Sequence, residues 1–264
     1  MNSNAFEEIQ AASKLLGFGL SCEELAQIAQ DGNIGEQEIE AIRKVFLYMK
    51  NKKTDAVISM LLRTSRLPLK APKTFENFDF ETLHGKEIDT LKNLPTLSAL
   101  YARKNIAFIG PPGIGKTHLA MAFGRACCFQ GYKTYFIKAT ELNQKFNDAR
   151  KLSREGKAIT SLVKPSCLII DEVGHCVFDK ENTRMLFDLV DRRYNKDCPS
   201  TMIFTSNKSP DKWGEFFNED ATLLCTLDRI FDDAIVFMMK GDSYRGRTQK
   251  TIAIQAGQPA KTIE

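Results

Sequence analysis

Residues 105–117 read NIAFIGPPGIGKT, a short apolar run followed at once by a glycine-rich loop. The loop, GPPGIGKT at 110–117, fits the pattern G-x-x-x-x-G-K-[ST] at every fixed position. Glycines let the backbone turn with its N–H groups pointing inward, where they can surround phosphate oxygens at the N-terminus of the next helix. A chance glycine-rich turn would not require a strand before it and a helix after it. The stretch therefore predicts a phosphate-binding loop that leads into a helix beginning near Lys116.

The loop predicts ATP as ligand and Mg²⁺ as cofactor. The Lys116 ammonium can reach the β- and γ-phosphates, and the Thr117 hydroxyl is placed to ligate Mg²⁺. His118 and His175 have no partner at metal-ligand spacing and are interpreted as structural, although His118 directly follows the loop. The expected nucleotide contacts are Gly110, Pro111, Pro112, Gly113, Ile114, Gly115, Lys116, Thr117 and His118.

Short apolar runs alternate with helical patterns along the rest of the chain. They lie at 105–110, 133–138, 166–171, 200–206 and 234–238. Five buried strands separated by helices predict an α/β fold, a five-stranded parallel sheet with helices on both faces. In such a sheet ligands bind at the carboxyl ends of the strands. The predicted fold class is a P-loop NTPase.

Polar residues follow two of these strands. In CLIIDEV, Asp171 is expected to hold the Mg²⁺ shell, and Glu172 is expected to polarise a water for attack on the γ-phosphate. Taken alone, an Asp-Glu pair after a strand is usually a solvated strand end. The fourth strand runs into Thr205, Ser206 and Asn207, and Asn207 is the candidate for holding that water or sensing the phosphate. Turn residues are the competing interpretation for Ser-Asn.

The chain divides into four predicted parts. Residues 1–66 have apolar side chains at helical spacing and predict a small all-α module, with Ser21 and Glu24 as a capping box and Thr54 as a helix start. Residues 67–104, which begin LPLKAPKTFENFDF, fit neither periodicity and are interpreted as a linker and lead-in. The ATPase domain spans 105–247, and a tail occupies 248–264.

Composition excludes several classes of protein. With 43% hydrophobic and 27% charged residues among 264, the chain can bury a core, which excludes disorder, collagen and mini-protein scaffolds. The seven cysteines show neither a CxxC pair nor Cys/His ligand spacing, so no disulfide framework or zinc site is expected. The start MNSNAFEEIQ is acidic, unlike a secretory signal, and no apolar run reaches membrane-spanning length. We therefore expect a cytoplasmic protein without a membrane segment.

Charge is distributed unevenly. The net charge is only +4, but residues 1–40 carry eight acids against Lys14, a net of −7. Residues 41–73 carry nine bases against Asp55, a net of +8. Such asymmetry indicates either an interaction surface or a solvated helical face, and the sequence leaves both open.

An ordered set of motifs resembles the IstB-type helper ATPases of bacterial insertion sequences, an AAA+ clade related to DnaC-type helicase loaders. The motifs are GPPGIGKTHLA, CLIIDEVGH, RRYNKDCPSTMIFTSN, LDRI and GDSYRGR, with a similar lead-in, over about residues 55–247. The resemblance implies that Arg229, in LDRI, is an arginine finger for a neighbouring subunit's ATP, and that Arg245, in SYR, contacts the chain's own γ-phosphate. Together with Lys116, Glu172 and Asn207 they complete the predicted catalytic set. An arginine acting in trans requires a homo-oligomer.

The resemblance also implies contacts with DNA and between subunits. The insertion at 138–164 corresponds to a helix that faces DNA in that clade, and its candidate phosphate contacts are Lys145, Arg150, Lys151, Arg154 and Lys157. A solvated helix is the ordinary alternative. A second basic block is a candidate for a DNA or transposase surface: Lys50, Lys52, Lys53, Arg63, Arg66 and Lys70. Arg192 and Arg193 match an arginine-tyrosine step that lines the subunit interface or forms structural salt bridges.

The resemblance implies a transposition helper. It would bind ATP, oligomerise on target DNA and regulate a transposase through ATP binding and hydrolysis. The alternative is a replicative helicase loader, which would share every nucleotide-binding residue and differ in its protein partner.

Overall fold

The computed structural model describes residues 3–85, 87–217, 220–241 and 243–244. The chain begins with three helices, α1 (Ser3–Leu16), α2 (Cys22–Asp31) and α3 (Glu36–Thr64), followed by two short ones, α4 (Ile88–Lys92) and α5 (Ser98–Tyr101). The strands and helices that follow are β1 (Ile106–Ile109), α6 (Lys116–Phe129), β2 (Thr134–Lys138), α7 (Ala139–Lys151), α8 (Glu155–Val163), β3 (Cys167–Val173), α9 (Lys180–Tyr194), β4 (Thr201–Ser206), α10 (Asp220–Phe231) and β5 (Ile235–Met238). Arg245 and the predicted tail 248–264 lie outside the described residues.

The predicted five-stranded parallel sheet is confirmed. Its strand order is β2-β3-β4-β1-β5, and every pair of neighbours is parallel. Because β1 lies between β4 and β5, the phosphate loop that follows it leaves the interior of the sheet rather than an edge. The ends of β3 and β4 lie on the same side of that loop. No helix in the described ranges is both long and apolar enough to cross a bilayer.

The two faces of the sheet bury separate apolar clusters, as the alternation of side chains along a strand requires. Ala107 and Ile109 of β1 face the cluster formed with α7, α8 and α9. Ile106 and Phe108 face the cluster formed with α6. Helices therefore cover both faces, and the strands read as continuous apolar runs because neither face meets water.

Residues 67–104 pack into the α6 side of the core, which the interpretation as a linker did not anticipate. Their buried side chains are Leu67, Phe75, Leu91, Leu94, Leu97, Ala99 and Leu100. The segment forms only short helices and turns, so its apolar residues fit neither a helical nor a strand periodicity. The four-part division of the chain stays a prediction, but this lead-in is built into the core of the α/β unit.

The N-terminal helices agree with the sequence in one detail and differ in another. The Ser21 hydroxyl accepts from the Glu24 N–H at 3.1 Å, and the Glu24 carboxylate accepts from the Ser21 N–H at 2.8 Å, which confirms the capping box. The helix start at Thr54 is wrong, because α3 continues through it from Glu36 to Thr64. The stretch 36–64 contains neither glycine nor proline, so nothing in it ends the helix.

Arg193 lies inside the protein, which overturns its assignment to a subunit interface or a salt bridge. Its guanidinium donates six hydrogen bonds, to the carbonyl oxygens of residues 162, 163, 165, 166 and 201 and to the Ser200 hydroxyl. The first two carbonyls end α8, where a helix leaves them without internal partners. Burial lowers the pKa of Arg193 to about 10, so the group stays charged at neutral pH. Arg193 therefore joins α8, α9 and β4.

Replacing Arg193 with Met should lower the free energy of unfolding by about 3 kcal/mol, because the six hydrogen bonds that its guanidinium donates inside the protein are lost. Chemical denaturation of the full chain measures this. The adjacent Arg192 is exposed and forms its ion pair with Asp188 at the surface, so Arg192→Met is the matched control and should cost less than about 1 kcal/mol. Equal losses in the two variants would contradict the structural role of Arg193.

Candidate functional site

The phosphate loop has the backbone geometry that its glycines predict. Gly113 and Gly115 have φ values of 81° and 100°, in the left-handed region that side chains disfavour. There is also no room for a Cβ at either position: at Gly115 it would lie 2.6 Å from the Phe78 ring, and at Gly113 it would overlap the Ser243 side chain. The loop therefore exposes backbone N–H groups at the start of α6, as a phosphate site requires.

Lys116 lies at the centre of the loop. Its Nζ donates to the carbonyl oxygens of Gly110 and Pro111, at 2.6 and 2.7 Å, and to Oδ1 of Asn207 at 2.7 Å. The side chain is almost fully buried. Lys116 and Asn207, predicted from two distant segments, therefore meet around one ammonium group. This contact holds the cation at the mouth of the loop.

Asp171 connects the loop to the sheet. Its Oδ1 accepts from the Thr117 hydroxyl at 2.8 Å and from the Thr205 hydroxyl at 2.6 Å. Thr205 in turn accepts from the Glu172 N–H at 3.0 Å. Sequence reasoning noted Thr205 at a strand end but selected Asn207 as the working residue. The structure brings both to the site: Thr205 donates to the Asp171 carboxylate, and Asn207 accepts from the Lys116 ammonium.

Glu172 interrupts the regular hydrogen-bond ladder between β3 and β4. Its φ is 61°, and the register between β3 and β4 shifts between Ile170 and Val173. Its carboxylate forms an ion pair with Nζ of Lys138, the last residue of β2, at 2.9 Å. The hydrogen bond and charge of Glu172 raise the pKa of Lys138. Sequence reasoning missed Lys138 in this role, and its position at the end of a strand neighbouring β3 was the available signal.

His175 belongs to the same site, although the sequence analysis interpreted it as a structural residue. Its ring lies 3.9 Å from Glu172 and 3.4 Å from the Asn207 amide nitrogen. His118 lies on the other side, with Nε2 2.8 Å from the Thr74 carbonyl oxygen. Burial lowers the pKa of His118. His118 thus ties α6 to the lead-in segment.

These residues surround one cavity of about 540 Å³. Its lining combines the loop, the strand ends and the lead-in: Pro68, Ala71, Lys73, Pro112, Gly113, Gly115, Lys116, Thr117, His118, Met121, Glu172, His175, Thr205, Ser206, Asn207 and Tyr244. The volume lies in the range of sites for nucleotide-sized ligands. The polar end, at the loop, suits phosphates, and the end formed by Pro68, Ala71 and Met121 offers an apolar wall for a base.

The donor set fits ATP and Mg²⁺. Thr117 and Asp171 present a hydroxyl and a carboxylate side by side, and Mg²⁺ characteristically takes one or two such protein ligands along with phosphate oxygens. When bound, Mg²⁺ would neutralise charge on the β- and γ-phosphates. Lys116 would then exchange its loop carbonyls for phosphate oxygens.

Arg229 lies far from its own chain's phosphate loop. It borders a second cavity together with Asn105, which precedes β1, whereas the loop follows β1 at the opposite end of that strand. Its Nη2 lies 3.4 Å from Oδ1 of Asp191, and its guanidinium carbon lies 5.0 Å from the centre of the Phe187 ring. One guanidinium nitrogen, Nη1, is buried without a hydrogen-bond partner in the part of the chain that the structure describes. The other predicted arginine, Arg245, lies outside that part.

The candidate DNA contacts fall into two groups. Lys151, Arg154 and Lys157 are exposed around the α7–α8 turn, and Lys145 is half-buried nearby. Arg150 instead donates to Asp179 at 2.6 Å and to Asn182 at 3.2 Å. It therefore has a structural partner within the chain.

Removing the Thr205 hydroxyl should loosen Asp171. We expect Thr205→Val to raise the Mg²⁺ concentration required for half-maximal ATP turnover by about tenfold, because partners of metal ligands typically contribute that much. A Mg²⁺ titration at fixed ATP measures it.

The control is Thr201→Val, the same change at the opposite end of β4, where the hydroxyl donates to the Lys104 carbonyl. That variant should keep the wild-type Mg²⁺ requirement. If both variants shift it equally, the effect reflects strand stability rather than the Asp171 contact.

Comparison with known proteins agrees with this site. The family model described as IstB-like ATP binding protein matches residues 10–252. A Geobacillus stearothermophilus protein, named as the ATP-binding protein of insertion sequence IS5376, is 40% identical over 196 residues, 73% of this chain and 75% of that protein. Its counterpart from IS21 of Pseudomonas aeruginosa is 32% identical over 193 residues, 73% of this chain and 71% of that protein.

Solved structures share the fold at lower identity. The DnaC helicase loader superposes with a TM-score of 0.50 at 20% identity, covering 62% of this chain and 97% of that one. AMPPCP-bound DnaA from Aquifex aeolicus superposes with a TM-score of 0.54 at 22% identity, covering 67% and 52%. The fold is thus that of P-loop AAA+ proteins, as the sequence predicted. With the family model spanning most of its length and the loop intact, the chain belongs to the family of IstB-like ATP binding proteins.

Proposed function

We propose that this protein is an ATP-hydrolysing, DNA-binding helper of transposition that oligomerises on target DNA and regulates a transposase. The observation that carries the proposal is the convergence of Lys116, Thr117 and Glu172 on one cavity, with Asp171 hydrogen-bonded to Thr117 behind it. The relatives named above come from insertion sequences, which supports transposition as the setting.

The proposed reaction is hydrolysis of the γ-phosphate. Glu172 accepts a proton from the attacking water, which requires the carboxylate to turn from Lys138 toward the cavity. Asn207 orients the water or the terminal phosphate, and Lys116 offsets charge on the transferred phosphoryl oxygens. The hydrogen bonds from Thr117 and Thr205 to Asp171 keep the two proposed metal ligands, Thr117 and Asp171, in place. Hydrolysis would end the ATP-stabilised assembly and so time its release.

Arg229 completes the active site of a neighbouring subunit in this proposal. Its place at the opposite end of β1 from the loop supports action in trans, because the side chain cannot span the sheet to its own phosphate site. Asp191 and Phe187 hold the side chain beside a cavity of its own chain, where the exposed part of the guanidinium can meet a phosphate oxygen of the neighbouring subunit. A guanidinium supplied in this way stabilises the transition state by lowering its charge.

Mixing two inactive variants tests the trans site. Arg229→Ala should lower ATP turnover by about a thousandfold at a protein concentration that saturates assembly, and Glu172→Gln should also abolish it. An equal mixture should regain a substantial part of wild-type turnover, because the intact Glu172 of one chain then meets the intact Arg229 of the other. Steady-state phosphate release with duplex DNA present measures this.

The mixing experiment has a matched control. Arg184→Ala removes an exposed arginine on α9 that is paired with Glu181 and belongs to no predicted interface, so its turnover should stay close to that of the wild type. Absence of recovery in the mixture, with both variants folded and binding ATP, would contradict the assignment of Arg229 to a neighbouring site.

The α7–α8 turn is the proposed DNA surface. Lys151, Arg154 and Lys157 project into solvent there and offer phosphate contacts without sequence specificity. Helix α7 begins directly after Lys138, and the buried side chain of Asn182 joins it to α9 through Asn143 and Asn147 at 2.8 and 2.7 Å. DNA bound at this turn would therefore contact an element fixed to the residues around Glu172.

Salt dependence measures the binding of DNA phosphates. Replacing Lys151 and Lys157 together with Ala should reduce the slope of log affinity against log salt by about 1.8, or 0.9 for each phosphate that the variant no longer neutralises. Duplex binding by fluorescence anisotropy across a salt series gives the slope. Lys14→Ala/Lys92→Ala removes two exposed basic residues on α1 and α4 and should leave the slope unchanged. Equal slopes for all three proteins would exclude the α7–α8 turn as the DNA surface.

The helicase-loader alternative shares all of these residues. What favours transposition is the insertion-sequence origin of the relatives at 40% and 32% identity, whereas the DnaC likeness rests on the fold. The neighbouring gene separates the two. A transposase reading frame supports transposition, and a replicative helicase or initiator supports the loader.

A further inference from the structure

Helix α3 has apolar side chains on two opposite faces. One face packs against α1 near its start and against α6 and β2 near its end, and carries Leu61 into the core. The opposite face is exposed and has side chains every three or four residues, so that they form one stripe along the helix. This stripe consists of Val45, Met49, Lys52, Ala56, Met60 and Arg63, with Tyr48 beside it.

The exposed stripe is unusual for a surface. Tyr48 is 67% exposed, and Val45 and Met60 are each 56% exposed. Scattered apolar residues need no explanation, but an aligned apolar row with bases in it indicates a contact surface. Nothing in the described part of the chain covers it. Lys52 and Arg63 have no carboxylate partner among the described residues, so the positive charge of this face is unneutralised within the chain.

The same module presents an acidic face. On α2, Glu24, Ile28 and Asp31 are spaced at i, i+4 and i+7, so they form one exposed row that runs beside the buried Leu25. Ile28 is 51% exposed, and Glu23 lies next to this row. This α2 face therefore combines an exposed apolar side chain with unneutralised negative charge, the complement of the α3 stripe.

We propose that the α2 face of a second copy of this chain docks on the α3 stripe. Both surfaces are exposed in one chain, so neither covers the other within it, and contact between them requires two copies. Ion pairs of Glu8 and Glu40 with Arg43 and Lys44 use part of the opposite charge of residues 1–40 and 41–73 within one chain. The charges that remain to attract between copies include Glu23 and Asp31 on one side and Lys52 and Arg63 on the other. Because the two surfaces differ, the contact is head-to-tail and can continue from copy to copy.

Two other occupants fit less well. Pairing of two α3 stripes would place Lys52 and Arg63 of one copy opposite the same positively charged residues of the other, and the like charges would repel. DNA phosphates would pair with Lys52 and Arg63. They would leave Val45, Met49 and Met60 unburied, since phosphates make no apolar contacts with side chains. The proposed contact also differs from the Arg229 interface because no atom of the ATP site takes part. Association through α2 and α3 therefore needs no nucleotide.

Charge reversal tests the contact on the full chain. The stripe variant is Lys52→Glu/Arg63→Glu, and the α2 variant is Glu23→Lys/Asp31→Lys. Glu24 is left intact because it closes the capping box. Sedimentation velocity without nucleotide, across a protein titration, should show wild-type mass rising above the monomer. Each variant alone should associate at least about tenfold more weakly, because like charges then face each other.

Mixing the two variants is the decisive step. The reversed stripe of one then meets the reversed α2 face of the other, so the mixture should recover association. Lys133→Glu/Lys164→Glu reverses two exposed bases elsewhere and should associate like the wild type. Circular dichroism melting confirms that every variant is folded.

Several results would overturn the proposal. They are a wild type that stays monomeric at all concentrations, variants that keep wild-type association, and a mixture that does not recover. Loss of duplex affinity in the stripe variant with unchanged self-association would assign the stripe to DNA instead. Loss of ATP turnover in the Arg229 variant with nucleotide-free association intact would leave this proposal standing, so the two interfaces are tested separately.

Discussion

The carboxylate of Asp171 is the contact on which the site depends. It accepts hydrogen bonds from Thr117 at the start of α6 and from Thr205 near the end of β4, while its own backbone continues β3. Three elements are thereby held at one point, within reach of the phosphate loop. The group is almost fully buried, so an unpaired carboxylate there would be costly. Its two hydroxyl donors make that burial tolerable and set the direction in which its remaining oxygen points.

Geometry around this point separates two carboxylates that are adjacent in sequence. Asp171 follows the strand and stays inside, whereas Glu172 takes a positive φ and leaves the ladder for the Lys138 ion pair. One carboxylate is thus fixed inside the site, and the next is placed where it can change partners. Lys138 also precedes α7, so its ion pair links the Glu172 carboxylate to the helix that bears the proposed DNA surface.

The lead-in segment gives the site its second wall. Phe78 packs where a Gly115 side chain would otherwise lie, and Thr74 contacts His118 through its carbonyl oxygen. Because Leu67 and Phe75 are buried against α6, the wall is anchored in the core. A small N-terminal module precedes this segment, and α3 joins the two by packing on α6 and β2. That charged module is therefore packed against the same helix, α6, that begins at the phosphate loop.

The sequence by itself determined the sheet, the phosphate loop and the two carboxylates, because each depends on residues adjacent in the chain. The apolar runs predicted five buried strands, and GPPGIGKT together with Asp171 and Glu172 located the ligand end of the sheet. Only the tertiary structure decided the roles of Thr205, Lys138 and His175, because each of them contacts a residue more than thirty positions away in the chain. It also showed that Arg193 is buried and that Arg150 is paired with Asp179. The sequence does not distinguish a charged side chain on the surface from one in the core. Its location depends on which carbonyl and carboxylate oxygens the folded chain brings around it.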